Sequence, residues 1–277
     1  MKDQEVLIDV KNLYKYFPVK RKITDVILNK PKKTVKAVDN ISLQIKKNEI
    51  LSLVGESGCG KSSFARTLIR LYEPDRGYIF YDKNDITHNA RYQMSAYRKK
   101  MQMVFQDPYS SLNPRKHIYE ILAAPMLYHG ISDKQTVEKD VKELLEMVGM
   151  PQSALGRYPH EFSGGQRQRI GIARALSLKP EFIVCDEPVS ALDVSVQAQI
   201  LNLLKSLQKE LQLTLLFIGH GLGAVHYVSD RIAVMQSGRM VELGDAREVF
   251  HHPQQEYTKM LLNSILEPKA YSEDRDS

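Results

Sequence analysis

ILSLVGESGCGKSS, residues 50–63, is an apolar run that leads through a glycine-rich turn into a lysine and two serines. The apolar run predicts a buried strand, and residues 61–71 have the apolar spacing of a helix. Glycines between them let backbone N–H groups turn inward, where the helix N-terminus adds positive potential. Lys61 would reach the β- and γ-phosphates, and the Ser62 hydroxyl would ligate Mg²⁺. The stretch therefore predicts a nucleotide-binding loop. Its candidate residues are Gly55, Glu56, Ser57, Gly58, Cys59, Gly60, Lys61, Ser62 and Ser63.

Asp186 and Glu187 follow a second apolar run at residues 182–185. A carboxylate at such a strand end can hold Mg²⁺, directly or through water, while the next one polarises an attacking water. Two acids that merely cap a strand end are the alternative. The nucleotide-binding loop upstream favours the chemical role.

The remaining pattern alternates strands with helices, which predicts an α/β fold with a parallel sheet. Residues 5–10 are expected to form an edge strand, and residues 111–178 are expected to form an inserted, mostly helical subdomain. Gly238 predicts a hairpin turn. Other strands are expected at residues 34–45, 182–185, 213–218, 231–235 and 240–243.

Ser163-Gly164-Gly165-Gln166 precedes a helix predicted to end near residue 178. Ser163 is a good N-cap residue, so a capped helix with a flexible beginning is one interpretation. The other is a second phosphate site, because free N–H groups at a helix N-terminus attract a γ-phosphate. Such a site facing outward would need the nucleotide of another subunit.

With FSGGQRQR (162–169) and FIVCDEPVSALD (182–193), the chain resembles the nucleotide-binding subunits of ATP-binding cassette (ABC) transporters over nearly its whole length. The resemblance implies a P-loop NTPase core with a parallel sheet, an antiparallel β subdomain and a helical insert at about residues 108–178. It further implies an ATPase domain over residues 1–265, a disordered tail from residue 266, and a dimer that sandwiches each ATP between two subunits.

Further site residues follow from the resemblance. Gln106 resembles the glutamine that senses Mg²⁺ and the attacking water, and Asp193 lies in the loop that crosses the dimer interface. His220 resembles the switch histidine that contacts the γ-phosphate. Phe17 resembles the aromatic residue that stacks on adenine, although simple packing is the alternative, and Tyr16 is a second candidate. The implied catalytic residues are Glu187, His220 and Gln106, and the implied Mg²⁺ ligands are Ser62, Gln106 and Asp186.

Two motifs depart from the family pattern. Phe162 replaces the commoner leucine, which is a minor apolar exchange. Gly219 and Gly221 flank His220, where the family usually has a small hydroxyl residue before the histidine and an aspartate after it. Because Gly221 removes a carboxylate and adds backbone freedom, the sequence predicts a looser switch and lower ATPase activity.

Several stretches resemble the dipeptide, oligopeptide and nickel importer branch, namely residues 35–39, 107–115, 186–195 and 253–259. That branch implies a second ATPase subunit (identical or different), two permeases and an extracytoplasmic substrate-binding protein. Peptide import is the expected function, with nickel or metal-chelate import as an alternative. An ABC ATPase of DNA repair or translation is less expected, because the large inserts of such proteins are missing. A subunit that binds ATP with little hydrolysis is a further alternative.

Net charge and hydropathy indicate what the protein contacts and where it is located. The 277 residues carry a net charge of +6, largely from the basic stretch at residues 20–36. That stretch is expected to be a solvated loop or to contact anionic lipid or an acidic partner; without interleaved aromatics it does not predict nucleic-acid binding. No signal peptide or membrane span is expected, so the cytoplasmic face of the membrane is predicted.

The cysteine and histidine content argues against other kinds of site. Cys59 and Cys185 are the two cysteines, a number that argues against a disulfide scaffold and against a cysteine-ligated metal site. His251 and His252 are adjacent and precede a proline, which is more typical of surface residues than of metal ligands. ATP and Mg²⁺ are therefore the expected cofactors.

Overall fold

The computed structural model describes residues 5–19, 34–90, 92–219 and 222–266, arranged as two sheets with helices around them. The strands are β1 (Val6–Pro18), β2 (Thr34–Lys46), β3 (Ile50–Val54), β4 (Arg76–Tyr81), β5 (Asn84–Asp85), β6 (Met101–Val104), β7 (Phe182–Asp186), β8 (Thr214–Ile218), β9 (Arg231–Gln236) and β10 (Arg239–Asp245). The larger sheet has the order β10-β9-β3-β8-β7-β6. Its neighbours pair in parallel except for β9 and β10, which are antiparallel. The predicted α/β class is confirmed.

The central strands of this sheet are buried on both faces, as expected for a parallel sheet with covering layers on each side. In β3, Ile50 and Val54 belong to one core, whereas Leu51 and Leu53 belong to the other. The same alternation runs through β7 and β8. A near-continuous apolar sequence therefore supplies both cores at once.

The smaller sheet is antiparallel and has the order β2-β1-β4-β5. The prediction of an edge strand at residues 5–10 was wrong, because β1 pairs with β2 on one side and with β4 on the other. Alternation along a single strand reports which face is buried, but it carries no information about how many neighbours the strand has.

The helices are α1 (Lys61–Leu68), α2 (Met94–Lys100), α3 (Pro108–Ser111), α4 (Ile118–Tyr128), α5 (Val137–Met147), α6 (Gly164–Leu176), α7 (Val194–Glu210), α8 (Leu222–Val228), α9 (Ala246–His251) and α10 (Glu256–Leu266). The stretch between β6 and β7 is helical and contains α3 to α6, with two short 3₁₀ turns before α6. Helix α1 ends before the predicted residue 71, because Arg70 has a left-handed backbone with φ of +58°.

The C-terminal part of the described chain returns to the larger sheet. Gly238, with φ of +83°, turns β9 into β10, so the predicted hairpin is confirmed. Helices α9 and α10 then pack against the core through Val249, Tyr257 and Leu262. Among the described residues, no helix combines the length and the apolar character needed to cross a bilayer. Most of the basic stretch at 20–36 and the predicted tail after residue 266 lie outside the described residues.

Candidate nucleotide-binding site

The predicted site residues converge at one edge of the larger sheet. Because β3, β6, β7 and β8 are parallel, their carboxyl ends meet at that edge. The phosphate loop follows β3, Gln106 follows β6, the pair of acids ends β7, and Gly219 follows β8. Topology alone thus brings together residues that are more than 160 positions apart in sequence.

Lys61 is buried in the phosphate loop, with 4% of its surface exposed. Its ammonium group donates to the carbonyl oxygens of Gly55 (2.7 Å) and Glu56 (2.9 Å). A Cβ atom at Gly55 would overlap the carbonyl oxygen of Met235, and one at Gly60 would overlap that of Ala37. The loop therefore curls around the lysine in a space that admits glycine at both positions.

Ser62 faces the acid that ends β7. The Ser62 hydroxyl donates to Asp186 Oδ1 over 2.8 Å, and Arg66 Nη2 lies 3.5 Å from Asp186 Oδ2. Asp186 is fully buried, so these partners offset the desolvation of its carboxylate. Hydroxyl and carboxylate oxygens side by side form the kind of donor set that Mg²⁺ prefers.

Glu187 turns away from the line of β7 because its backbone is left-handed, with φ of +49°. Its N–H donates to Ile218 O (3.0 Å), and its carbonyl accepts from the N–H and the hydroxyl of Ser190. These bonds hold a conformation that costs a non-glycine residue about 1–2 kcal/mol. The result is that Gln106 Nε2 donates to Glu187 Oε2 over 2.6 Å. The strained backbone therefore belongs to a residue for which the sequence predicts a catalytic role.

Tyr16 and Phe17 on β1 have different surroundings. Tyr16 donates its hydroxyl to Asp39 Oδ1 (2.7 Å), and Arg239 donates from two nitrogens to Asp39 Oδ2. Phe17 is half-buried, and its ring meets Tyr72 edge-on at a centroid distance of 5.3 Å. Because Tyr16 is engaged elsewhere, Phe17 is the better candidate for stacking on an adenine.

The beginning of α6 forms a capping box. The Ser163 hydroxyl accepts from the Gln166 N–H (3.3 Å), while the Gln166 side chain accepts from the Ser163 N–H (3.0 Å). Both side chains are exposed. Gly164 lies against the loop that contains Asp193, where a Cβ would lie 3.3 Å from Leu192 Cδ2, and Gly165 lies against the first turn of α7, where a Cβ would overlap Val196. Asp193, also exposed, directly precedes α7.

The predicted residues thus form two groups within one chain. The phosphate loop, Gln106, Asp186 and Glu187 share the carboxyl edge of the sheet. Residues 163–166 and Asp193 form the other group, and α6 packs mainly on α3, α4, α5, α7 and β6, whereas α1 packs on β1, β2, β7 and β8. In the second group, Ser163, Gln166 and Asp193 are exposed to solvent, as a half-site for another subunit requires.

The switch region is described as far as Gly219. His220 and Gly221 lie outside the described residues, so their predicted roles stay predictions. At Gly219 a Cβ would lie 2.9 Å from Phe217 Cε1 and 3.1 Å from Val225 Cγ2. The Phe217 ring therefore accounts for glycine where the family usually has a small hydroxyl residue.

Two contacts at the site were not anticipated from the sequence. Arg66 reaches Asp186, and the helical spacing from Ser62 to Arg66 could have indicated it, because residues four apart share a helix face. Tyr257 accepts a hydrogen bond from the Glu56 N–H over 3.1 Å. No local pattern could have indicated that contact, which joins residues 201 positions apart.

The two cysteine side chains are buried in the packing. Burial raises the pKa of the Cys185 thiol to about 12, and Asp186 beside it acts in the same direction. Burial also raises the pKa of the Cys59 thiol, against the opposing effect of Lys61. Both cysteines are free, and the described residues contain no cluster of three or more metal-binding side chains from His, Cys, Asp and Glu.

A family model described as "ABC transporter" matches residues 38–190, more than half of the chain. The chain belongs to the ABC transporter family. It is an ATPase of this family, in which nucleotide hydrolysis is coupled to transport. The resemblance inferred from the sequence motifs is therefore confirmed.

Curated relatives are similar over most of the chain. The oligopeptide transport ATP-binding protein AppF of Bacillus subtilis is 49% identical over 95% of this chain and 79% of that protein. OppF of the same organism is 50% identical, over 94% of this chain and 83% of that protein, and OppF of Escherichia coli is 46% identical, over 95% and 78%. All three are described as oligopeptide transport ATP-binding proteins.

Solved structures agree with the fold. A post-hydrolysis dimer of the ATP-binding cassette MJ0796 with ADP and Pi matches with a TM-score of 0.75 at 27% identity, over 87% of this chain and 99% of the other. CbiO1 of Clostridium perfringens, part of an ABC transporter complex, matches with the same TM-score at 26% identity, over 90% and 92%.

Proposed function

We propose that this chain is the ATP-hydrolysing subunit of an importer that carries oligopeptides. The observation that carries the proposal is the pair of contacts at the sheet edge, Ser62 with Asp186 and Gln106 with Glu187. Ser62 and Asp186 are suited to binding a cation, and beside them Gln106 and Glu187 are suited to activating water. The relatives described as oligopeptide transport proteins support the choice of cargo.

Each site residue has a role that its position allows. Lys61 and the loop N–H groups bind the phosphates, and Phe17 stacks on the adenine. Ser62 and Asp186 would hold Mg²⁺, for which their oxygen atoms are suitable ligands, together with Gln106, the third ligand that the family resemblance implies. The cation supplies charge neutralisation on the phosphates when it is bound. Glu187 orients and polarises the attacking water, and Gln106 holds its carboxylate in place.

A complete site requires two subunits. The start of α6 and Asp193 face solvent in this chain, so they are available to the nucleotide held by a partner's phosphate loop. Closure around two nucleotides would press on two permeases, and hydrolysis would reopen the pair. A substrate-binding protein outside the membrane would deliver the peptide. In this proposal the chain acts at the cytoplasmic face of the membrane.

Nucleotide binding and transport can be tested separately. Lys61→Ala is expected to abolish binding of a fluorescent ADP analogue by the purified chain, because the phosphates lose their buried cation. Lys139→Ala, on the exposed face of α5, is the matched control and should bind as the wild type does.

The cargo is tested in cells that lack the chain. Restoring the wild-type chain should restore uptake of a labelled oligopeptide, and the Lys61→Ala variant should not. Restored uptake of ⁶³Ni²⁺ without peptide uptake would overturn the proposed cargo. Wild-type nucleotide binding by Lys61→Ala would overturn the proposed site.

A further inference from the structure

Helix α10 is fastened to the larger sheet just before it begins. Glu242 on β10 accepts hydrogen bonds from the backbone N–H of Gln254 (2.8 Å) and of Gln255 (3.2 Å). Glu256 then begins the helix, and Leu262, six residues later, packs in the core with Val54. The first turn of α10 is therefore held by Glu242 where it begins, and the next turn is held by the core.

Tyr257 is in this first turn, and its ring is buried with 8% of its surface exposed. Its hydroxyl oxygen accepts the hydrogen bond from the Glu56 N–H in the phosphate loop. Burial raises the pKa of this phenol above its ordinary value of 10.0, so the hydroxyl stays neutral at physiological pH. The hydroxyl of Tyr257 thus joins a C-terminal helix to the phosphate loop.

Glu56 is consequently held on both sides of its backbone. Its carbonyl accepts from Lys61 Nζ (2.9 Å) and from the Cys59 N–H (3.3 Å), while its N–H is taken by Tyr257. The preceding Gly55 is confined by Met235. These hydrogen bonds define the orientation of the Glu56 peptide at the beginning of the loop.

We propose that Tyr257 is a positioning residue for the phosphate loop, holding the Glu56 peptide so that the following N–H groups are already directed at the phosphates. Tyr257 itself does not touch the nucleotide. The proposal rests on the nucleotide site proposed above, and it extends that site to α10, a helix outside the residues that the family model matches.

The effect should appear in nucleotide affinity. Without the hydroxyl, the loop samples other orientations, and the apparent Kd rises in inverse proportion to the competent fraction. A hydrogen bond of ordinary net strength corresponds to a change of about 3- to 10-fold in that fraction. The catalytic residues are unaffected, so kcat should stay near the wild-type value.

Tyr257→Phe removes the hydroxyl and keeps the ring, and Tyr81→Phe is the matched control. Tyr81 is also buried, and its hydroxyl donates to Glu181 (2.7 Å), which precedes β7 at the opposite edge of the sheet. For each variant, the Kd of a fluorescent ADP analogue, the KM and kcat for MgATP in the assembled complex, and the Tm are measured.

We expect Tyr257→Phe to raise the Kd and the KM by about 3- to 10-fold with kcat kept. Tyr81→Phe should lower the Tm and leave the Kd unchanged. An unchanged Kd in Tyr257→Phe, or a Kd that rises equally in both variants in step with a lower Tm, overturns the positioning role. A failure of the proposed nucleotide site would look different. In that case the wild type would not bind the analogue, or Lys61→Ala would bind it as tightly as the wild type does.

Discussion

Two glycines of α6 provide a matched test of how the beginning of this helix is seated. A Cβ at Gly165 would overlap Val196, whereas a Cβ at Gly171 would have nothing within 4 Å outside its own helix. The same substitution to alanine therefore adds a clash at one position and fills open space at the other. Because both positions lie on the same helix, the two variants compare the surroundings of the added methyl group within one element.

The magnitudes follow from these surroundings. Alanine in a helix interior is favoured over glycine by about 1 kcal/mol, so Gly171→Ala should raise the free energy of unfolding by about that amount. Inserting a methyl group into packed surroundings costs about 1–3 kcal/mol, and this cost should outweigh the smaller gain near the N-terminus at Gly165. Each kcal/mol corresponds to a shift in Tm of about 2–4 °C for a domain of this size.

Thermal unfolding and ATPase assays of the assembled complex measure both consequences. Gly165→Ala should lower the Tm and reduce ATPase activity about 10-fold or more, because α6 can no longer lie against the first turn of α7, which directly follows Asp193. Its binding of ADP by the isolated chain should persist, since the phosphate loop is untouched. A Gly165→Ala variant with wild-type Tm and activity would refute this account, as would equal damage by Gly171→Ala.

Three further outcomes follow from other parts of the molecule. Gly221→Asp should raise ATPase turnover of the complex if the flanking glycine loosens the switch, and unchanged turnover would contradict that prediction. Hydrogen bonds from Tyr16 and Arg239 lower the pKa of Asp39 below its ordinary value of 3.8. The ionised Asp39 therefore stabilises the folded protein at pH values above 3.8, and this stabilisation is lost as the pH falls through the lowered pKa. Urea unfolding between pH 6 and pH 3 should therefore show a smaller acid-induced loss in Asp39→Asn than in the wild type; equal losses would argue against the network. Cys185 should resist iodoacetamide in the folded protein and react after unfolding, and mass spectrometry that finds it alkylated in the folded protein would contradict its burial.

The sequence was most informative where a local pattern carries the structure. The run from residue 50 to 63 contains its own strand, turn and helix start, so the site at β3 was predictable from consecutive residues. The apolar run before Asp186 likewise predicted β7, and the glycine at 238 predicted the hairpin turn. In each of these cases the physical cause lies within a few neighbouring residues.

Pairing and long-range contacts were not predictable on that basis. The position of β1 inside the smaller sheet depends on β4, and the end of α1 depends on the backbone of Arg70. The family resemblance implied roles for Gln106 and Glu187 but not the hydrogen bond between them, whose geometry depends on a left-handed residue that no propensity favours. Tyr257 reaches the loop through tertiary packing alone.

The most direct test of the central idea, that Glu187 activates water at a site shared by two ATPase subunits, is ATP turnover by Glu187→Gln in the assembled complex. Glu143→Gln, on the exposed face of α5, is the matched control. Glu187→Gln should bind MgATP, hold the two subunits in an ATP-dependent closed dimer and hydrolyse at less than about a hundredth of the wild-type rate. Hydrolysis near the wild-type rate, or no ATP-dependent closure, would contradict the account.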